Sequence, residues 1–194
     1  MVKAIVAAVL AIAALQSMSD VAAAQATTTQ SPAPPPSPPA ASPPVGCSGA
    51  AHRAFDFWIG EWDAYATGTE TLAGKSVIEA RDAGCIITEQ WTSMRSPYSG
   101  RSLNLFDATT GRWLQFWADS QGEITRYEGA PTGDGMVLVA PDEATPGQAG
   151  RTSLRMTFTR NPDGTVRQVG ETSGDGGKTW APNYDFTYRP RSPG

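Results

Sequence analysis

Residues 112–130 read RWLQFWADSQGEITRYEGA, and this stretch decides the fold. Trp113, Gln115 and Trp117 occupy every second position, so they share one face of an extended strand. Turn-forming residues at 120–122 then interrupt the run, and a second strand-like run follows. Two such runs around a short polar break predict a β-hairpin.

The same pattern recurs along the chain from residue 62 to residue 189. About ten short runs rich in β-branched and aromatic residues alternate with turn signals such as NPDG at 161–164. Only residues 50–59 predict a turn or two of helix. Short antiparallel strands without long crossovers predict an all-β, antiparallel, up-and-down barrel of about eight to ten strands, with a short N-terminal helical turn.

The ends of the chain divide it into three predicted regions. Residues 1–26 combine Lys3, a short apolar run and small residues, which is typical of a secretory signal that is removed on export. Residues 27–46 are rich in proline and lack large apolar side chains, so they predict a disordered linker. Residues 47–190 then form the barrel domain. We expect the protein in the periplasm or outside the cell, without membrane insertion after signal cleavage.

Cysteine count and charge limit the chemistry. Cys47 and Cys85 are the only two cysteines, and in an oxidising compartment an even count predicts a disulfide. The formal net charge is −4 and no basic run is present, which argues against a nucleic-acid partner.

Residues 55–63, FDFWIGEWD, lead into the first predicted strand. Gly60 and Trp62 at its start resemble the G-x-W motif with which lipocalins and other calycins enter their barrels. In those proteins the tryptophan closes the barrel floor and an arginine of the last strand packs over it. The resemblance implies a structural role for Gly60 and Trp62, and it implies that Arg189 packs over Trp62.

A longer ordered set of segments is similar to a family of secreted bacterial proteins of unknown function. The set comprises FDFWIGEWD at 55–63, GCIITEQW at 84–91, SLN at 102–104, GRW at 111–113 and DGGKTW at 175–180. It implies the calycin-like barrel but no reaction. SGDGGKTW at 173–180 also resembles the Asp-box turn of sialidases, and it predicts a hairpin turn in which Asp175 accepts backbone N–H groups.

A barrel of this size can enclose a small ligand, so the inward side chains are the candidate site. The lumen candidates are Glu89, Trp91, Asn104, Gln115, Trp117, Tyr127, Arg167 and Tyr184. They predict a non-enzymatic protein that binds or carries a small, partly apolar ligand, with Asn104, Gln115 or Arg167 orienting its polar end. The opposing interpretation is that these large side chains fill the lumen.

Two alternative functions stay open. The first is a lyase, isomerase or hydrolase that works in the lumen, with Glu89 or Asp185 as its base. The second is a cell-envelope interaction module with a packed core. No catalytic residue, metal site or cofactor is predicted, because His52 is the only histidine and the two cysteines are expected to be bonded.

Overall fold

The computed structural model describes residues 47–144 and 151–191. The predicted signal at 1–26 and linker at 27–46 lie outside these residues. A short helix α1 (Ala50–Arg53) and a 3₁₀ turn (Asp56–Trp58) precede the first strand. The ten strands are β1 (Gly60–Ala66), β2 (Leu72–Arg81), β3 (Ile86–Ser93), β4 (Ser99–Asp107), β5 (Arg112–Asp119), β6 (Ile124–Thr132), β7 (Gly135–Ala144), β8 (Arg151–Arg160), β9 (Val166–Ser173) and β10 (Ala181–Pro190).

The strands form one closed antiparallel barrel. Each strand pairs with its neighbours in sequence, and β1 pairs with β10 from Trp62 opposite Pro190 to Ala66 opposite Phe186. Closure gives every strand a partner on both sides, so the described sheet has no open edge. This confirms the prediction of an all-β, up-and-down barrel with a short N-terminal helix.

The hairpin turn between β9 and β10 is built around one carboxylate. Asp175 accepts hydrogen bonds from the backbone N–H groups of Lys178 (3.0 Å) and Thr179 (2.9 Å). The hydrogen bonds from the backbone and side chain of Thr179, together with those from the Ser173 hydroxyl and the Lys178 backbone, lower the pKa of Asp175 to about 2. Gly176 and Gly177 have φ of 72° and 84°, a conformation that glycine adopts without strain. The predicted local turn is therefore confirmed.

Large aromatic side chains close one end of the barrel. Phe55 and Trp58, from the segment before β1, are fully buried and stack with ring centroids 5.0 Å apart. Phe158 packs against both. The indole of Trp62 donates a hydrogen bond to the carbonyl of Trp58 (3.0 Å), which fixes this segment to the first strand. We call Phe55, Trp58, Trp62 and Phe158 the aromatic floor.

A disulfide joins Cys47 to Cys85, as predicted. It links the start of the described chain to the 3₁₀ turn between β2 and β3, Asp82–Gly84. The bond is consistent with an oxidising, exported location.

Arg189 lies elsewhere than the calycin resemblance implies. Its guanidinium lies over the ring of Tyr65, 4.3 Å from the centroid, and pairs with Glu70 (2.7 Å) on the outside of the barrel. Tyr188, the preceding residue, faces inward against Trp62, so alternation turns Arg189 outward. Arg191 contacts Trp62 through the backbone, by donating a hydrogen bond to the Trp62 carbonyl (3.0 Å).

Candidate functional site

A cavity of about 670 Å³ lies inside the barrel above the aromatic floor. Its rim includes Thr71, Arg95, Glu123 and Asn183, which lie at or near the connections at the opposite end of the barrel. Packed aromatic rings therefore fill one half of the lumen, and the cavity occupies the other half.

Six of the eight predicted lumen residues line this cavity. They are Glu89, Trp91, Gln115, Trp117, Tyr127 and Tyr184. Asn104 also faces the interior, but it is completely buried behind Gln115.

Arg167 is the predicted lumen residue that faces the other way. It is exposed on the outer wall, where its guanidinium donates two hydrogen bonds to Asp185 (2.9 and 2.5 Å). Its neighbours Val166 and Gln168 are both buried, so the inward-facing positions of β9 are shifted by one residue from those predicted. Asp185, the second candidate base, is on the outer wall too, and the hydrogen bond from Arg167 lowers its pKa.

Three stacked rings form one wall of the cavity. The ring centroids of Trp91 and Phe186 lie 5.7 Å apart with planes inclined by 18°. Those of Phe186 and Tyr184 lie 5.0 Å apart with planes inclined by 21°. Rings at these separations and angles are offset-stacked, and together they give the cavity one continuous aromatic, apolar side. We call Trp91, Phe186 and Tyr184 the aromatic wall.

Glycines on neighbouring strands let three rings of the cavity pack close against the sheet. The pairs are Trp91 over Gly74, Trp117 over Gly100 and Tyr184 over Gly170. A β-carbon added at any of these glycines would come within 2.1–2.3 Å of the ring above it. Any larger residue would therefore push the ring away from the sheet. The glycines thus keep three bulky side chains out of the centre of the lumen.

Glu89 is the one carboxylate buried at the inner part of the cavity among the residues described, and only 5% of its surface is exposed. Ser76 on β2 donates a hydrogen bond to Oε1 (3.1 Å), and Ser102 on β4 donates one to Oε2 (3.1 Å). In the paired strands, Ser102 lies opposite Glu89 and Ser76 lies opposite Trp91. The register of the sheet therefore positions both hydroxyl donors.

A second layer of amides orients Ser102. Asn104 donates hydrogen bonds to Ser102 Oγ (2.9 Å) and to the carbonyl of Ile87 (3.0 Å). Gln115 in turn donates to Asn104 Oδ1 (2.8 Å). Gln115, Asn104, Ser102 and Glu89 therefore form a chain of hydrogen bonds in which every donor points toward the carboxylate. Asn104 acts through this chain and does not line the cavity.

Burial raises the pKa of Glu89 to about 7, although hydrogen bonds from Ser76 and Ser102 and the charge of Arg101 lower it. Removal from water disfavours the charged carboxylate, and two hydroxyl donors compensate only part of that penalty. At neutral pH the carboxyl is therefore present in both protonation states.

Several polar groups of the cavity were not predicted. The Tyr188 hydroxyl donates to Gln168 Oε1 (2.6 Å), and Gln168 Nε2 donates to Tyr184 Oη (3.2 Å). Near the rim, Trp117 Nε1 donates to Tyr98 Oη (3.2 Å), which itself donates to Asp119 (3.1 Å). The sequence did offer a signal for Tyr188: it lies four positions after Tyr184 on the same predicted strand, so both side chains are expected to face the same way.

Across the two described ranges, no group of three or more His, Cys, Asp or Glu side chains is placed to hold a metal ion. The described helices are also too short or too polar to cross a membrane. No protein-family model matches the chain, and no curated protein is significantly similar to it. The fold and cavity define a closed antiparallel β-barrel compatible with ligand binding, and the assignment to the calycins or to the secreted family stays a prediction.

Proposed function

We propose that this protein binds or carries a small, partly apolar ligand in its lumen, and that it does so after export to the periplasm or the cell exterior. The observation that supports this proposal is the set of three glycine-backed rings, which leave a cavity of about 670 Å³. That volume lies in the range of ligand pockets, roughly 300–1,000 Å³.

The contrast between the two ends of the barrel argues against a packed interaction module. At the floor, Phe55, Trp58 and Phe158 are fully buried and fill the interior. Protein cores normally contain few voids larger than a water molecule. A lumen that is filled at one end and open over a much larger volume at the other is better suited to holding a ligand. Apolar burial would drive binding, at about 25 cal/mol for each Å² removed from water.

Tryptophan fluorescence tests this proposal directly, because Trp91 and Trp117 line the cavity. Titration with a panel of apolar probes, including a retinoid, a fatty acid and an aromatic amine, is expected to quench or shift the emission. Trp117→Phe should remove part of the response. Trp180→Phe is the control, since Trp180 lies outside the cavity beneath Arg155. If no probe in the panel changes the emission, the result would favour the alternative of an interaction module with a packed core.

A pair of glycine variants tests the role of the open lumen. Gly170→Ala would place a methyl group 2.1 Å from the ring of Tyr184 and push that ring into the cavity. We expect probe affinity to fall by about tenfold or more. Gly174→Ala is the matched control, because a β-carbon there meets nothing within 4 Å. Equal affinities in two variants that both fold, as judged by circular dichroism, would contradict the proposal.

A second candidate function is a lyase, isomerase or hydrolase that uses Glu89 as its base. The observation in its favour is a carboxyl buried beside a cavity, with a pKa of about 7 that suits general acid–base catalysis near neutral pH. Mass spectrometry of a probe recovered after incubation distinguishes the two functions. A chemically unchanged probe indicates binding alone, whereas conversion that Glu89→Gln abolishes indicates an enzyme.

A further inference from the structure

We propose that the ligand of the cavity is an organic cation, an amine whose charged group pairs with Glu89 while its apolar part packs against the aromatic wall. The inference rests on the proposed lumen binding and adds the chemical class of the ligand.

The charges around the cavity favour a positive ligand. Glu89, Asp119 and Glu123 line it, whereas Arg95 is the one basic residue among the described side chains that do so. A cleft lined mainly by one sign of charge concentrates ions of the opposite sign. The carboxylates also span the whole depth of the cavity, with Glu123 near the rim and Glu89 in the interior.

Glu89 has capacity for a further donor. Each of its oxygens accepts one hydrogen bond from a serine, whereas each carboxylate oxygen has two lone pairs. Within the described part of the chain, no Lys, Arg or His forms an ion pair with it. A buried carboxylate is stabilised when a cation with hydrogen-bond donors approaches it, and an ammonium group provides both.

None of the other titratable groups near Glu89 places a positively charged group in contact with it. Tyr184 and Tyr188 face it from β10, and burial raises the pKa of both phenols well above the usual value, so both are neutral. Tyr127 on β6 interacts with Tyr184 and likewise carries no positive charge. The charge of Arg101 on β4 lowers the pKa of Glu89 from a distance. Its guanidinium is exposed on the outer wall, where it donates to the backbone carbonyl of Gly100 (2.8 Å), so it forms no ion pair with Glu89.

The aromatic wall lies close to this carboxylate. Trp91 follows Glu89 by two residues on the same face of β3 and stacks on Phe186. Aromatic faces carry partial negative charge and attract ammonium groups. A carboxylate or phosphate ligand would meet repulsion from both the rings and Glu89. The same geometry thus accepts a cation and disfavours an anion.

Three naphthalene compounds of nearly equal size separate charge from shape: 1-naphthylmethylamine, 1-naphthylmethanol and 1-naphthoate. Isothermal titration calorimetry on the full-length protein at pH 8 is expected to show the amine binding at least about tenfold more tightly than the alcohol, with the acid weakest. Glu89→Gln should remove the advantage of the amine and leave the affinity for the alcohol unchanged. Glu128→Gln, on the outer wall beside Arg126, should change neither affinity.

The advantage of the amine should also decrease as the pH is lowered from 8 to 5, because Glu89 takes up a proton and loses its charge. If the alcohol or the acid binds as tightly as the amine, or if Glu89→Gln leaves the advantage intact, the cation inference is overturned while lumen binding stands. If none of the three binds and the wider probe panel also gives no response, lumen binding itself is refuted.

Discussion

Replacing Glu89 by glutamine should change how the stability of the barrel depends on pH. The folded-state pKa of Glu89 is about 7, above its ordinary value of 4.5, so the folded protein holds this proton over a range where the unfolded chain has lost it. The stabilising contribution is complete below about pH 4.5 and is lost as the pH rises to 7. Across this window the loss amounts to about 3 kcal/mol, from about 1.4 kcal/mol for each pH unit.

Glutamine has nearly the same shape as glutamate and can still accept a hydrogen bond from one of the two serines, but it does not titrate. The free energy of unfolding of Glu89→Gln, relative to the unchanged protein, should therefore rise by about 2–3 kcal/mol between pH 5 and pH 8. Urea unfolding at both pH values measures this, as a relative shift in midpoint of roughly 1 M. Glu128→Gln, a substitution on the outer wall, should show no such shift. Parallel pH profiles for Glu89→Gln and the unchanged protein would refute a buried, strongly perturbed carboxyl.

Two further predictions concern the framework. Trp62→Ala removes a buried indole and its hydrogen bond to the Trp58 carbonyl, and should lower the free energy of unfolding by about 3–5 kcal/mol. Trp62→Phe, which removes mainly the hydrogen bond, should cost less, and an unchanged urea midpoint in the alanine variant would contradict the role of Trp62 in the floor. Cys85→Ser removes the disulfide to Cys47 and should lower the free energy of unfolding by about 3–4 kcal/mol in the chain-entropy model. The variant should match the unchanged protein after its disulfide has been reduced. If the variant is less stable than the reduced protein, the additional loss has a cause other than the disulfide.

The hairpins of the barrel could be predicted because their signals are local. In β5, Trp113, Gln115 and Trp117 alternate with less buried residues and face the interior. The turn around Asp175 likewise depends on hydrogen bonds between residues no more than four positions apart. Such features require no knowledge of which strands are neighbours, so a single sequence is enough to indicate them.

The errors arose where packing between strands decides the outcome. β9 carries polar residues on both faces, and the sequence alone does not show that Gln168 faces inward to meet Tyr188 while Arg167 faces Asp185. The chain of donors to Glu89 depends on the register of three strands, because Ser76 and Ser102 come from either side of β3. A shift of one residue in any of these strands would have dispersed the site.

The glycines beneath the aromatic rings also determine how this barrel can be altered. Gly74, Gly100 and Gly170 lie under their rings on three different strands, so each one sets the position of a different part of the lining. A single methyl group added at one of them would reshape one side of the interior without replacing any side chain that lines the cavity. The shape of the cavity can thus diverge, by natural variation or by engineering, through positions that a comparison of the lining residues alone would overlook.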